Sequence, residues 1–219
     1  MVENLRLDLS TNTTLTTSNT DLRANWTPNK NTVSTQGEHW GTGTKWDDGS
    51  QLTPEEIDTA HSYNGNGSLG TKTVADADGV IWQIGNYYNW YAATAGSGNS
   101  SLLNGSALDS ICSKGWQLPY PVNRFQQLAD VYEIDRYEGV EKIQTQPLSF
   151  ILNGEYQWSS GKTLQQNAMG RYWSTVAVNS EDVKWQARSM HIYTDGAGVL
   201  PNTRHVRAYG FGVRCVARR

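Results

Sequence analysis

Apolar and polar residues alternate at the start of the chain, where Leu5, Leu7 and Leu9 sit between polar neighbours. A period of two predicts a half-buried or edge strand there. A stretch rich in Thr, Asn and Ser runs to Thr20, with strand-like pieces around Trp26 and Trp40. Thr53-Pro54-Glu55-Glu56 has the chemistry of a helix start, with Thr as the cap, Pro where no amide hydrogen is needed and Glu placed to reach back. Asn64-Gly65-Asn66-Gly67 ends that helix early. Asp76-Ala77-Asp78-Gly79 predicts a turn into a strand from Val80 to Ile84. Val122, Phe125, Leu128 and Val131 recur every three residues after Pro121, which predicts an amphipathic helix over 123–133. From Ile143 onward the pattern returns to short strands, among them 149–152 and 188–193. In the latter, Met190 and Ile192 share one face while Ser189, His191 and Tyr193 share the other. Few helices, many short strands and long polar loops imply an α+β fold.

Composition sharpens this picture. Nine Trp and eleven Tyr stand against three Phe. Trp and Tyr carry a polar tip that needs a partner when buried, so such a chain builds an aromatic core and also has aromatic surface to offer a ligand. Their even spread from Trp26 to Tyr209 argues for one continuous core, in a chain long enough for one sizeable domain. Charge is uneven. From Lys184 to Arg219, seven Lys or Arg stand against Asp195 alone, a net of +6 that leaves −9 for residues 1–183 of a chain whose total is −3. A basic end attracts anions, yet these cations are dispersed and no nucleic-acid-binding signature accompanies them, so no specific nucleic acid partner is expected. No apolar run approaches a membrane span, and Met1-Val2-Glu3-Asn4 lacks the basic and apolar regions of a signal peptide.

Candidate chemistry is sparse. Asp76-x-Asp78-Gly79 lacks the later ligands and the glutamate of a calcium loop, and reads as a hairpin turn. His39, His61, His191 and His205 show no two-ligand helix spacing. No G-x-S-x-G elbow is present, and Gly41-Thr42-Gly43-Thr44-Lys45 lacks phosphate-loop spacing. The sequence therefore predicts no catalytic residue, no metal ligand and no cofactor. Cys112 and Cys215 lie 103 positions apart. In an oxidising compartment a bridge closing so long a loop contributes roughly 4–5 kcal/mol on the chain-entropy account; two buried free thiols are the alternative.

Three blocks carry a resemblance. They are Gly85-Asn86-Tyr87-Tyr88-Asn89-Trp90-Tyr91-Ala92-Ala93-Thr94-Ala95-Gly96, then Ile111-Cys112-Ser113-Lys114-Gly115-Trp116-Gln117-Leu118-Pro119, and finally Tyr172-Trp173-Ser174-Thr175 with Gly210-Phe211-Gly212-Val213-Arg214-Cys215-Val216. In this order they resemble the Fibrobacter major paralogous domain of microbial surface proteins, which has the C-type-lectin fold and is similar to the variable proteins of diversity-generating retroelements. The resemblance spans 76–218. It implies one domain over 1–219, with residues 1–75 an N-terminal extension packed on a C-type-lectin-like region of two helices beside a small twisted antiparallel sheet, the chain ends close together. It also implies that Cys112 and Cys215 pair.

In the retroelement variable proteins, exposed residues near the C-terminal end are diversified by adenine-directed mutagenesis while the fold stays fixed. Starting from AAC or AAT codons, such mutagenesis cannot reach Trp, Met, Gln, Lys or Glu, which makes Trp185 and Met190 framework. The corresponding variable surface here is Arg188, Ser189, His191, Tyr193, Thr194, Asp195, Asn202, Thr203, Arg204, His205, Val206 and Tyr209. Ser189, His191, Tyr193, Thr203, Arg204, His205 and Tyr209 are then expected to be accessible and contiguous, with Met190, Ile192, Phe211 and Val213 buried. Two departures stand out: relatives often read Tyr-Trp-Ser-Ser-Thr where this chain has one Ser fewer, and the stretch from Tyr193 to Pro201 is longer. The implied function is display at a cell surface, on a virion or in secreted form, binding a macromolecular ligand such as a surface protein of another cell or host. A surface adhesin without diversification is the alternative. A formylglycine-generating type of enzyme shares the fold but needs a close reactive cysteine pair, and the Glu-Pro-Asn, Gln-Pro-Asp and Trp-Asn-Asp motifs of calcium-dependent sugar binding are missing.

Overall fold

A computed structural model of the chain describes residues 4–7, 9, 14–18, 22–23, 25–28, 57–63, 73–75, 77–120, 124–134, 139–158, 160–179, 185–195 and 198–218. The helix start at 53–56, the stop at 64–67 and the piece around Trp40 lie outside them. Within the described residues the architecture is α+β, with several small antiparallel sheets and few, short helices. β1 (Ser62–Tyr63) pairs with β4 (Tyr87–Tyr88), and β2 (Thr73–Ala75) with β3 (Ile81–Gln83). β6 (Trp116–Gln117) pairs with β12 (Val216–Ala217), and β7 (Glu155–Gln157) with β8 (Lys162–Leu164). The largest sheet has the order β11 (Gly198–Val206), β10 (Gln186–Tyr193), β9 (Met169–Val178), β5 (Gly105–Ser106), all antiparallel.

The turn at Ala77-Asp78 joins β2 to β3 as a hairpin, with Gly79 at φ 77°. The predicted 123–133 helix is α2 (Arg124–Val131); Phe125 is buried and Leu128 packs against the core, but Val131, expected on the same face, is 76% exposed. A three-residue repeat drifts around a 3.6-residue helix, and by its third step has turned away from the core. Segment 149–152 is not a strand. Its residues are buried as irregular chain, and Ile151 exchanges hydrogen bonds with the Tyr172 hydroxyl instead of with a neighbouring strand. Two further helices are α1 (Trp90–Ala93), capped by the Asn89 side chain on the Ala92 amide, and α3 (Gly139–Gln144).

The central sheet is buried on both faces. On one side Met190, Ile192, Val199 and Tyr172 pack with Phe125 of α2 and Ile143 of α3. On the other, Trp173, Ala187 and Val206 join a larger aromatic cluster with Tyr87, Tyr88, Trp90, Tyr156, Tyr209 and Phe211. Leu9, Leu15, Leu22 and Ile57 enter that same cluster, so the N-terminal residues share the core. The Leu5 amide donates to Val213 O at 2.9 Å, which ties the two ends of the chain together. Cys112 and Cys215 form a disulfide, with Cα atoms 5.8 Å apart.

Gly210-Phe211-Gly212 threads between three strands, bonding Tyr156, Tyr88 and the backbone of β9 in turn. Its glycines are dictated by packing. A Cβ at Gly210 would lie 2.8 Å from Tyr156 Cβ and 3.0 Å from Tyr87 Cβ, and one at Gly212 would strike Asn153 Nδ2.

Candidate ligand-binding surface

The β10–β11 hairpin carries most of the residues singled out as a variable surface. Arg188 lies opposite Arg204, and Ser189 opposite Thr203. Irregularities between Ala187 and Ser189 against β9, and between Ser189 and His191 against β11, increase the local twist where the strands present these side chains. Thr194, Asp195, Asn202 and Arg204 are exposed, and Arg188, Tyr193, Thr203 and His205 are partly exposed. These eight residues sit on one hairpin and the turn beyond β10, but they do not form the one contiguous surface expected: successive strand positions alternate in direction, so Arg188 and Arg204 lie on the face opposite that of Thr203 and His205. Arg188 Nη1 donates to Asn202 O at 2.9 Å, so one guanidinium is braced across the ladder beside the other. Partial burial, and then the neighbouring Arg204 charge, lower the Arg188 pKa from its ordinary value.

Four of the expected contact residues are not accessible. Ser189 is 0% exposed, His191 and Tyr209 are each 1% exposed, and Val206 is 2% exposed. The alternation correctly set Ser189 and His191 apart from Met190 and Ile192, but the face they occupy is covered. Phe211 stacks on Trp173 with centroids 4.2 Å apart and meets the rings of His191 and His205 edge-on at 5.7 and 5.0 Å. Tyr209 lies edge-on to His205 at 4.1 Å. Met190, Ile192, Phe211 and Val213 are fully buried, as expected.

Beneath the exposed residues the covered face holds a polar network. His191 Nε2 is 2.9 Å from Ser189 Oγ, and its Nδ1 is 2.9 Å from the Tyr193 hydroxyl. Arg171 pairs with Glu155, and its Nη1 also approaches His205 Nε2 at 2.8 Å. A guanidinium only donates, so His205 Nε2 accepts and the ring is neutral. Burial is the largest cause holding the pKa of His191 well below its ordinary value, followed by the Arg171 charge and then His205. Burial and then Arg171 do the same to His205. The Ser189–His191 distance is that of a nucleophile and its base, but Ser189 has no exposed surface and His191 is oriented by a tyrosine hydroxyl. This pair is a structural link that fixes the Tyr193 side chain from below.

Sequence reasoning missed Glu155, Arg171 and Arg207. A partial signal for the first was present: a single carboxylate between the apolar Phe150-Ile151-Leu152 and the aromatic Tyr156 and Trp158 needs a cation to accompany it if that segment is buried. Arg207 is 1% exposed and lies 4.5 Å above the Trp90 ring. It donates to the carbonyls of Gln186, Asn99 and Leu102, which anchors the base of the hairpin to the loop after α1. Burial, opposed by Asp58, lowers its pKa to about 10. Among the described residues no group of three or more His, Cys, Asp or Glu is placed to hold a metal ion, and no helix is long and apolar enough to cross a membrane. Comparison with known proteins gave no match to any family model, curated protein or solved structure.

Proposed function

We propose that this chain is a binding domain with a C-type-lectin-like fold, of the kind used by retroelement variable proteins, that displays the tip and outer side of its β10–β11 hairpin to a macromolecular ligand. The observation that carries the reading is the layering at that hairpin. Half-exposed Tyr193, Thr203 and His205 adjoin the polar network of Ser189, His191, Arg171 and Glu155, while exposed Arg204, with half-exposed Arg188 opposite it, lies on the other face of the hairpin, and exposed Thr194 and Asp195 lie in the turn beyond β10. A rigid support of this sort keeps contact residues in place without fixing their identity. Arg188, Arg204 and Tyr193 are the anchors, because such side chains bury large area while keeping polar contacts. The ligand is a protein on the surface of another cell or a host, and the domain acts at a cell surface, on a virion or in secreted form without catalysing a reaction.

A second reading, a surface adhesin whose binding residues are fixed, is favoured by one observation. Ser189, His191 and Tyr209 are interlocked in the core and do not accept arbitrary replacement. Two displayed libraries separate these possibilities. Randomising Arg188, Tyr193, Thr194, Asp195, Asn202, Thr203 and Arg204 should leave most members protease-resistant and yield binders to a panel of unrelated surface proteins. Randomising Ser189, His191, Val206 and Tyr209 should leave few members folded. If the first library loses the fold as often as the second, the hairpin is not a tolerant recognition surface and the proposal fails.

A further inference from the structure

The hairpin sets two cations against each other. Arg188 of β10 and Arg204 of β11 are Cα partners in an antiparallel ladder, so their side chains leave from one face with Cβ atoms about 4.5–5.5 Å apart. Like charges directly opposite each other destabilise a sheet. Arg188 Nη1 donates to Asn202 O at 2.9 Å, which holds its guanidinium on the hairpin. Partial burial and the Arg204 charge both work against the protonated form of Arg188. Among the described residues neither arginine is paired with a carboxylate. Arg188 is half-exposed and Arg204 is exposed, so both can be reached from solvent.

The neighbouring cations do not extend the pair. Arg207 is buried on the carbonyls of Gln186, Asn99 and Leu102. Arg214 is also buried, with Nη1 on Ser149 O at 2.8 Å and its guanidinium carbon 4.3 Å from the centre of the Phe150 ring. β10 and β11 therefore present two adjacent cations to solvent and not a row. A nucleic acid backbone calls for several cations spaced along it. Two guanidinium forks side by side suit two neighbouring carboxylates, each taken by parallel charge-assisted bonds. This face is also distinct from the one that bears Tyr193, because alternation along β10 sends Ser189, His191 and Tyr193 to the side opposite Arg188.

We infer that the Arg188–Arg204 face docks an acidic segment of a protein partner, in which two neighbouring carboxylates each take one guanidinium. The inference rests on the reading of the hairpin as the ligand-binding element and adds the chemistry of what it binds. Two carboxylates offset the repulsion that the fold leaves between the arginines. The charge asymmetry of the chain acts in the same direction: residues 184–219 carry +6 against −9 for the remainder, and a cation-rich end steers an acidic partner toward the hairpin.

Panning a displayed library of random twelve-residue peptides on the immobilised, oxidised full chain at about 150 mM salt tests this. The selected peptides should carry neighbouring Asp or Glu residues more often than the input library. A synthetic copy of the most enriched peptide then serves as the probe. Its affinity should fall about tenfold for Arg188→Gln and for Arg204→Gln, and by at least as much when its own acids are changed to Asn and Gln. Lys114→Gln, which removes an exposed charge outside the hairpin, should leave it unchanged, and a DNA duplex should compete poorly. No selected peptide, acidic peptides indifferent to both arginines, or a duplex that competes as well as the peptide would overturn the inference. Peptides without acidic enrichment that lose binding to Tyr193→Ser would also overturn it, yet would leave the hairpin a binding element through its other face. Peptides that bind all three hairpin variants like the parent would count against both readings.

Discussion

The two faces of β10 are equally buried and chemically opposite. Met190 and Ile192 meet α2 and α3 in a dry apolar cluster, whereas Ser189 and His191 meet Trp173, Phe211 and the Arg171–Glu155 pair. The first face gains by removing hydrocarbon from water and tolerates swaps of similar volume. The second excludes water just as fully but depends on every donor finding its acceptor, so it confers specificity of arrangement at high risk if one member is lost. A polar residue on a strand therefore marks the face opposite the apolar core without marking the solvent.

The largest effect should come from the ring shared by both supports of the polar face. Trp173 is 0% exposed, stacks on Phe211 and donates through Nε1 to Tyr88 O at 2.8 Å. Trp173→Ala should cost about 3–5 kcal/mol in urea unfolding. A loss below about 1 kcal/mol would mean that the aromatic roof contributes little, and that the polar network is held by its hydrogen bonds alone.

Arg171→Leu strikes the network itself. It removes the guanidinium paired with buried Glu155, which should cost about 3–5 kcal/mol, because losing one partner of a buried ion pair is more damaging than losing both. Adding Glu155→Leu should recover most of that loss. If the double variant is no more stable than Arg171→Leu, the charge pair is not what the surrounding residues accommodate. The apolar face offers the contrast: Met190→Leu, a swap of similar volume, should cost less than about 1.5 kcal/mol.

Acidification should separate the faces without mutation. His61, His191 and His205 are kept neutral in the fold; burial lowers His61 to about 3 and the other two well below the ordinary value. The unfolded chain protonates all three near pH 6.5, so below that value it binds more protons than the folded state. Stability is thus full above pH 6.5 and falls as the pH drops toward the depressed folded values, by about 1.4 kcal/mol per unit for each neutral histidine. His191→Gln should flatten the slope of stability against pH by one proton between about pH 6 and 5. An unchanged slope would show that His191 already binds its proton in the folded protein.

How far the sequence revealed these features follows from the same contrast. The period-two pattern in 188–193 placed Met190 and Ile192 together and separated them from Ser189 and His191, because side-chain direction is a local property of a strand. What covers the second face is not local. Phe211 arrives from a later segment, held by its backbone bonds to Tyr88, and Glu155 from an earlier one, beside Tyr156, which bonds Gly210; no periodicity encodes these pairings. The same limit explains why 149–152 reads as a strand: four apolar residues in a row indicate burial, but only a neighbouring strand would supply a ladder. The disulfide was legible through a family resemblance and is present.

The smallest expected effect lies on the outer side of the hairpin, and it is the most discriminating. Thr194, Asp195, Asn202 and Arg204 are exposed; the Thr194 hydroxyl donates to Ala168 O at 3.0 Å, and the Asn202 backbone carbonyl accepts from Arg188. Replacing Asn202 and Arg204 together by Ser keeps that carbonyl and removes no buried area, so stability should change by less than about 0.5 kcal/mol for each. The comparison is His191→Ser on the covered side, which empties a buried space and strands the Tyr193 hydroxyl above it. Thermal unfolding of the two proteins under one buffer should give a melting temperature near the parent for Asn202→Ser with Arg204→Ser, and a clear decrease for His191→Ser. If the exposed pair is as costly as the buried histidine, the division of this hairpin into a tolerant outer layer and a constrained inner one is wrong, and with it the idea that one layer is free to vary for a ligand while the other holds the strand.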